Sequence, residues 1–396
     1  MKLLLRRLSD LPIEGKRVLV RVDYNVPLQQ GRLLDDTRLR ESLPTLRYLL
    51  QRRAKIILIS HLGRPKGKPV AELRLDPVAQ RLSELLHIKV HKLDDCVGPR
   101  VEAFVAQMRP GEVVLLENVR FYPEEEANDE RFAQALAKLG DCYVNDAFGT
   151  SHRAHASTYG VARLLPSAAG LLLEQEVTTL QRVRENPARP LVAIVGGAKL
   201  ADKIGVLRDF LDRADVFLLG GGIAFTLLKA EGASVGSSIV DESLLEEARL
   251  FLAAARARGR RVVLPQDVQI AQASPASLQW AVSGADQIPD GWQGWDIGPR
   301  TIQLFQEQIR SAKTIVWAGP LGRFEHPPFD RGTREVARAV AASEAFAVIG
   351  GGDTAAALRQ SECAHAKNIF FSTGGGAALE FVGGRRLLPI EILRAS

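Results

Sequence analysis

Two glycine turns near the end of the chain, GGGDT at Gly350 to Thr354 and TGGG at Thr373 to Gly376, have the makings of phosphate sites. Each follows a short apolar run (FAVI, IFFS) and opens an Ala/Leu-rich stretch. Glycine lets the backbone approach a ligand closely, and the free N–H groups and positive dipole of a helix start attract an anion. Neither turn has the Walker A spacing or a full G-x-G-x-x-G. Asp353 places a carboxylate in the first turn, which is costly beside phosphate unless a divalent cation lies between, so GGGDT points to a magnesium nucleotide. The plainer reading is a tight strand-to-helix turn with a capping Asp.

Basic residues supply a second constellation. Arg38, Arg64, Arg120 and Arg153 with His61 would, if they converge, clamp a multiply anionic small ligand, because guanidinium forks match phosphate and carboxylate. Each arginine alone reads as surface charge. His152 and His155 flank Arg153, without a Ser or Cys nucleophile signature or an H-E-x-x-H pattern nearby, which disfavours acyl transfer and metallohydrolysis. Lys199 and Lys203 are four apart, so a helix after GGA would set both on one face near its N-terminus, where an anion relieves their repulsion. Glu325, beyond a Gly-Pro-Leu-Gly turn, could accept from ribose hydroxyls.

The chain has 396 residues, long enough for two domains, and 46% apolar residues, ample for two cores. Its formal charge of +6 is uneven: residues 1 to 170 hold 27 Lys and Arg against 21 Asp and Glu, and the remainder is balanced. The basic half should host the more anionic small partner. Without an arginine-rich tract or interleaved aromatics, nucleic acid is not expected as a partner. No run of 18 apolar residues occurs, and MKLLLRRLSD is too short and too soon charged for a signal peptide, so no membrane partner and a cytoplasmic protein are expected. Cys96, Cys142 and Cys363 are far apart and odd in number, which argues against a disulfide framework or zinc site.

These residues need elements to hold them. Apolar runs at Arg17 to Val22, Lys55 to Ser60, Val113 to Leu116 and Tyr143 to Asn145 alternate with helix-period segments such as Leu39 to Gln51 and Val78 to Leu86. The rhythm returns at Leu191 to Val195, Val216 to Leu219, Val262 to Leu264, Thr314 to Trp317, Phe346 to Ile349 and Ile369 to Ser372. Such alternation predicts an α/β fold of two doubly wound, parallel-sheet, Rossmann-like domains. Residues 171–186 read as a joining helix, closed by Pro187 and Pro190, that could serve as a hinge. In open α/β sheets ligands gather at the carboxyl ends of strands, which is where Asp23, Asn25, His61, Arg64, Arg120 and the glycine turns fall.

The ordered segments RVDYNVP, DDTRLR, SHLGRP, LLENVRFYPEEE, YVNDAFGTSHRAHAS, GGAKLADKI, LLGGGIAFTLLK, WDIGP, KTIVWAGPLGRFE, IGGGDTAAAL and STGGGAALEF resemble the phosphoglycerate kinase family from Val18 to Phe381. The resemblance implies reversible phosphoryl transfer between 1,3-bisphosphoglycerate and ADP, giving 3-phosphoglycerate and ATP with Mg2+, in a hinge-bending monomer. It sets the 3-phosphoglycerate site on Asp23, Asn25, Arg38, His61, Arg64, Arg120 and Arg153. It sets the nucleotide site on Lys199, Lys203, Gly220, Gly221, Gly294, Glu325, Gly351, Gly352, Asp353 and Thr354, with Asp353 near magnesium. Arg38 and Lys199, with the helix starts at Gly351 and Gly375, would stabilise charge on the transferring group. The implied domains are 1–170 for 3-phosphoglycerate and 187–378 for nucleotide, with 379–396 returning to the first half.

Three positions depart from the family pattern: Ala318 stands where an Asn is usual, Gln266 replaces a small apolar residue, and Arg323 adds charge at the presumed nucleotide rim. A dinucleotide-dependent oxidoreductase would need a G-x-G-x-x-G with an acidic residue ~20 positions on, which is missing. A non-catalytic anion-binding or scaffold protein of the same fold would be expected to have lost Arg38, Lys199 or Asp353, and all three are present.

Overall fold

The apolar runs of the first half fold as parallel strands because both of their faces are covered. In the computed structural model, which describes residues 3–272, 279–359, 363 and 366–395 and only the backbone at 352, 353, 356 and 359, they form a six-stranded sheet. Its strands are β1 (Arg17–Arg21), β2 (Lys55–Ile59), β3 (Val90–Lys92), β4 (Val113–Leu115), β5 (Cys142–Asn145) and β6 (Ser167–Ala169), in the order β3-β4-β2-β1-β5-β6 with every pair parallel. Successive side chains of a strand point to opposite faces. Val18, Val20, Ile56 and Leu58 accordingly enter one core, and Leu19, Ile57 and Ile59 enter the other. Helix α1 (Thr37–Gln51) buries Leu39, Leu43, Leu46 and Leu49 at helical spacing. It starts two residues before the first apolar position, which puts Arg38 in its first turn.

Helix α2 (Leu171–Glu185) carries the chain out of this sheet. Asp146 Oδ1 accepts from the N–H groups of Leu172 (3.0 Å) and Leu173 (3.2 Å), and Thr45 Oγ1 accepts from that of Leu171 (2.9 Å). These contacts bind its first turns to the first unit, so the division falls inside the joining helix, after Thr179.

The second unit, Leu180–Arg385, repeats the plan. Strands β7 (Leu191–Val195), β8 (Val216–Leu219) and β9 (Arg261–Val263) are followed by an antiparallel insertion of β10 (Asp267–Gln272), β11 (Trp280–Gly284) and β12 (Trp292–Ile297). The core sheet resumes with β13 (Thr314–Ala318), β14 (Phe346–Gly350) and β15 (Ile369–Phe371), in the parallel order β9-β8-β7-β13-β14-β15. The strand order reverses between β7 and β13, the switch point where open sheets of this kind hold ligands. The expected α/β fold with two doubly wound parallel sheets is therefore observed; the antiparallel insertion is additional. Its strand β11 is largely exposed, with Trp280 and Val282 each 50% accessible, and so lacks the buried alternation that marks a strand in sequence.

Four helices follow glycines or lysines of interest: α3 (Ile204–Phe210), α4 (Gly222–Ala230), α5 (Gly352–Arg359) and α6 (Gly376–Gly383). Helix α6 stays in the second unit, where Arg213 Nε donates to the Gly383 carbonyl at 2.9 Å. The return to the first unit thus begins at Arg386, later than the expected 379. There the Arg6 N–H donates to Leu393 O and the Ala395 N–H to Leu4 O, both at 2.8 Å. Among the described residues no helix is long and apolar enough to cross a membrane.

Candidate active site

In the first unit, the loops leaving β1, β2 and β4 are stitched to one another by side chains. Ser60 Oγ accepts from the Tyr24 N–H at 2.9 Å, and Asn25 Oδ1 accepts from the Gly63 N–H at 2.8 Å. Asn118 Nδ2 donates to Leu62 O (2.8 Å), and Arg120 Nη1 donates to Gly63 O (3.0 Å). Arg38 reaches from the first turn of α1 to pair with Asp23. Arg153 Nε lies 3.0 Å from His152 Nε2 on the loop after β5, and Arg64 is exposed on the loop after β2.

The electrostatics tie most of these groups together. Burial pushes the Asp23 carboxyl up, but Arg38, His61 and Arg21 together hold it below the usual carboxylate range. His61 is 3% exposed. Burial drives it well below the ordinary imidazole value, reinforced by Arg21, Arg120 and Arg38 and opposed by Asp23. Burial also lowers Arg120, helped by Arg21 and Arg153 and countered by Glu126 and Glu125. His155 falls to about 4, first by burial and then by Arg120, Arg21 and Arg153. Several guanidiniums and neutral imidazoles, only partly compensated by Asp23, Glu125 and Glu126, form a receptor for an anion. Burial, and after it Arg153, lowers His152 as well.

In the second unit the switch point is made by backbone packed on backbone. A Cβ on Gly319, whose φ is +91°, would overlap the Gly196 carbonyl. The Gly196 N–H donates to Ala318 O at 2.8 Å, and the Gly319 N–H donates to Thr354 Oγ1 at 2.7 Å, which fastens β14's turn to β13's. Ala318 is buried and paired in register with Val195 and Gly350. Gly220 donates to Val195 O, Gly221 caps α4, Gly351 precedes α5 and Gly375 caps α6, so the glycine turns do open helices.

The lysines are arranged differently from the expected single helical face. Lys199 is extended (φ −123°, ψ 135°) before a short 3-10 turn, Leu200–Asp202, and α3 starts only after Lys203. Gly197, just upstream, lets the chain turn in front of Lys203, whose Cε lies 3.7 Å from where a Gly197 Cβ would be. Lys199 is exposed.

Beside the switch point lies a cleft of about 210 Å³ lined by Gly221, Phe225, Ile239, Gly294, Trp295 and Glu325, among others. A Cβ on Gly294 would overlap the Phe225 ring. Arg323 lies 3.9 Å over the centroid of the Trp295 ring, which packs on Phe329 at 4.8 Å. A flat apolar slot with a carboxylate at its mouth suits a nucleoside. The Asp353 side chain lies outside the described residues, and among those described no group of three His, Cys, Asp or Glu could hold a metal ion.

A family model described as phosphoglycerate kinase matches residues 8–385. The chain belongs to the phosphoglycerate kinase family. It is 52% identical over 386 residues to the phosphoglycerate kinase of Moorella thermoacetica, covering 98% of each chain. It is likewise 52% identical over 389 residues to that of Thermomicrobium roseum, covering 98% of this chain and 99% of the relative. The phosphoglycerate kinase structure from Coxiella burnetii superposes with a TM-score of 0.85 at 40% identity, over 98% of this chain and 99% of that one. The Pyrococcus horikoshii structure gives 0.84 at 32%, over 98% of both chains. Membership in the phosphoglycerate kinase family makes the chain an enzyme, a kinase, and bears out the resemblance read from the ordered motifs.

Sequence reading missed two groups. Phe225, Ile239 and Trp295 line the cleft, and nothing in their local sequence marks them as site residues, because only the fold turns them toward one space. Arg21 is the last residue of β1 and reads as part of the strand, yet its guanidinium is buried beside His61.

Proposed function

We propose that the chain catalyses reversible phosphoryl transfer between 1,3-bisphosphoglycerate and ADP, yielding 3-phosphoglycerate and ATP. The observation that carries this reading is the pairing of two chemistries on two like sheets. One has a guanidinium and imidazole cluster at its carboxyl edge, and the other has glycine turns and a nucleoside-sized cleft at its switch point. In this reading Asp23, Asn25, Arg38, His61, Arg64, Arg120 and Arg153 hold the 3-phosphoglycerate moiety. Lys199, Lys203, Gly220, Gly221, Gly294, Glu325 and Gly351 to Thr354 hold the nucleotide, the base and ribose against Phe225 and Trp295.

The acceptor is already a carboxylate, so a general base is not required; positioning and charge stabilisation carry the catalysis. Arg38 and Lys199 take charge from the transferring oxygens, and the N-termini of α5 and α6 add backbone donors. Asp353 would hold a Mg2+ ion, which when bound would offset the charge of the nucleotide phosphates. Closure about α2 to exclude water, monomeric action and a cytoplasmic location belong to the same proposal and rest on the family alone.

The test is the initial rate of 3-phosphoglycerate phosphorylation by ATP, read through a coupled dehydrogenase, with EDTA and single-substrate omissions. Turnover that needs both substrates and stops with EDTA supports the proposal. Absence of turnover in folded protein that still binds 3-phosphoglycerate would favour a non-catalytic anion binder.

A further inference from the structure

Arg21 is one of the largest fully buried side chains of the protein, and its guanidinium has three separate partners. Nε donates to Ser157 Oγ at 2.8 Å, Nη1 donates to the Val22 carbonyl, and Nη2 lies 3.1 Å from His61 Nδ1. Ser157 in turn donates twice to the fully buried Glu125, from Oγ to Oε1 at 2.6 Å and from its N–H to Oε2 at 2.9 Å. The run Glu125, Ser157, Arg21, His61 therefore alternates acceptor and donor without a mismatch. A guanidinium has five N–H donors and no acceptor, so His61 Nδ1 must receive, and the single ring proton of the neutral imidazole sits on Nε2.

We infer that Arg21 is a positioning residue, which through the buried run from Glu125 holds His61 as its Nε2–H tautomer and so presents one fixed, uncharged donor to the anionic substrate. The inference rests on the reading of the arginine cluster as the 3-phosphoglycerate site. Protonating Nδ1 would break the bond from Arg21 and place a further cation among guanidiniums. The charged groups around His61 are Arg21 on β1, Asp23 just beyond it, Arg38 on α1 and Arg120 after β4; only Asp23 favours the imidazolium. Burial acts in the same direction as the guanidiniums. Glu125, itself pushed up by burial, is balanced by Arg21 and the two donors of Ser157, which is why its carboxyl can lie so deep.

The experiment is long-range 1H–15N correlation on full-length protein labelled at histidine, with His61→Gln to identify the His61 signals. A protonated Nε2 and a bare Nδ1, unchanged from about pH 8 to about pH 5.5, are expected. An Nδ1–H tautomer, or titration within that range, overturns the inference. Arg21→Lys keeps the charge but loses the fork that spans Ser157 and His61. In that variant the His61 signals should move toward a tautomer mixture, and the KM for 3-phosphoglycerate should rise about tenfold, the worth of one oriented hydrogen bond, with kcat within about twofold. Unchanged His61 signals in folded Arg21→Lys would make Arg21 merely structural and overturn the inference. Altered signals with unchanged KM would also overturn the inference, since His61 would then present no donor to the substrate. Should Arg21→Lys not fold, the wild-type tautomer alone decides.

Discussion

Arg38 and Asp23, fifteen positions apart, are ion-paired across the carboxyl edge of the first sheet, one from the first turn of α1 and the other from the loop after β1. The pair holds the guanidinium at a place where an arriving anion can share it. It also keeps Asp23 ionised in a buried setting, where burial alone would raise its pKa. Because the folded value is depressed, the pair's contribution is present above the ordinary carboxylate value near 3.8 and is lost as pH falls through the folded value.

Arg38→Ala should lower kcat by ~10²-fold or more, the scale seen when one charge-stabilising donor is removed. Arg38→Lys should recover part of it, since charge returns without the planar fork. Steady-state kinetics with saturating ATP and 3-phosphoglycerate decide the matter; near-normal turnover in Arg38→Ala would reduce Arg38 to a partner of Asp23.

Gly294→Ala should raise the dissociation constant for ADP by about tenfold or more while leaving that for 3-phosphoglycerate unchanged, because the new methyl group displaces the Phe225 ring into the cleft. Isothermal titration with each ligand separately is the direct measurement. Equal losses for both ligands would contradict the assignment of this cleft to the nucleotide.

Thr354→Ala leaves the buried Gly319 N–H without its acceptor, which should cost about 1–3 kcal/mol. The expected signs are a lower unfolding midpoint and weaker ADP binding, both largely restored in Thr354→Ser. Loss in Thr354→Ser equal to that in Thr354→Ala would show that the methyl, not the hydroxyl, matters.

Ala318→Asn should tighten ADP binding, by about 1 kcal/mol if the amide reaches the phosphates from its buried position between the ends of β7 and β14. A weaker or unchanged dissociation constant would mean that the wild-type alanine serves strand packing.

Asp146 makes a pH-dependent stability prediction. Burial pushes its carboxyl up to about 7, against the pull of Thr45 and the Leu173 and Leu172 N–H groups at the start of α2. A folded value above the unfolded one means that stability falls as pH rises from about 4 toward about 7 and is level beyond. Asp146→Asn keeps an oxygen for the same donors, so its stability relative to wild type should improve over that interval, by at most about 4 kcal/mol. Urea unfolding of both proteins at several pH values tests this, and a pH-independent difference would refute it.

How much of this was legible in the chain differs from element to element. Strands such as Val18 to Val20 and Ile56 to Ile59 were plain, because parallel strands buried on both faces are written as unbroken apolar runs. The glycine turns and the arginines after strands were also readable, since close approach and bidentate charge demand those residue types. The β11 edge was not, because its side chains face water and follow no burial pattern. The start of α1 was set two residues ahead of its apolar stripe, which periodicity cannot see, and that offset is what gives Arg38 its place.

The sequence by itself determined the family, the two α/β halves and the chemistry at strand ends, for these depend on residue type and order. Tertiary structure alone decided three things. Lys199 and Lys203 do not share one helix, because a 3-10 turn intervenes. Ordering of β7 beside β13 brings Gly196 against Gly319 from more than a hundred residues away. Arg21, a strand residue by every local criterion, is folded against Ser157 and His61, because which partners a buried guanidinium finds depends on packing between distant segments and not on its neighbours in the chain.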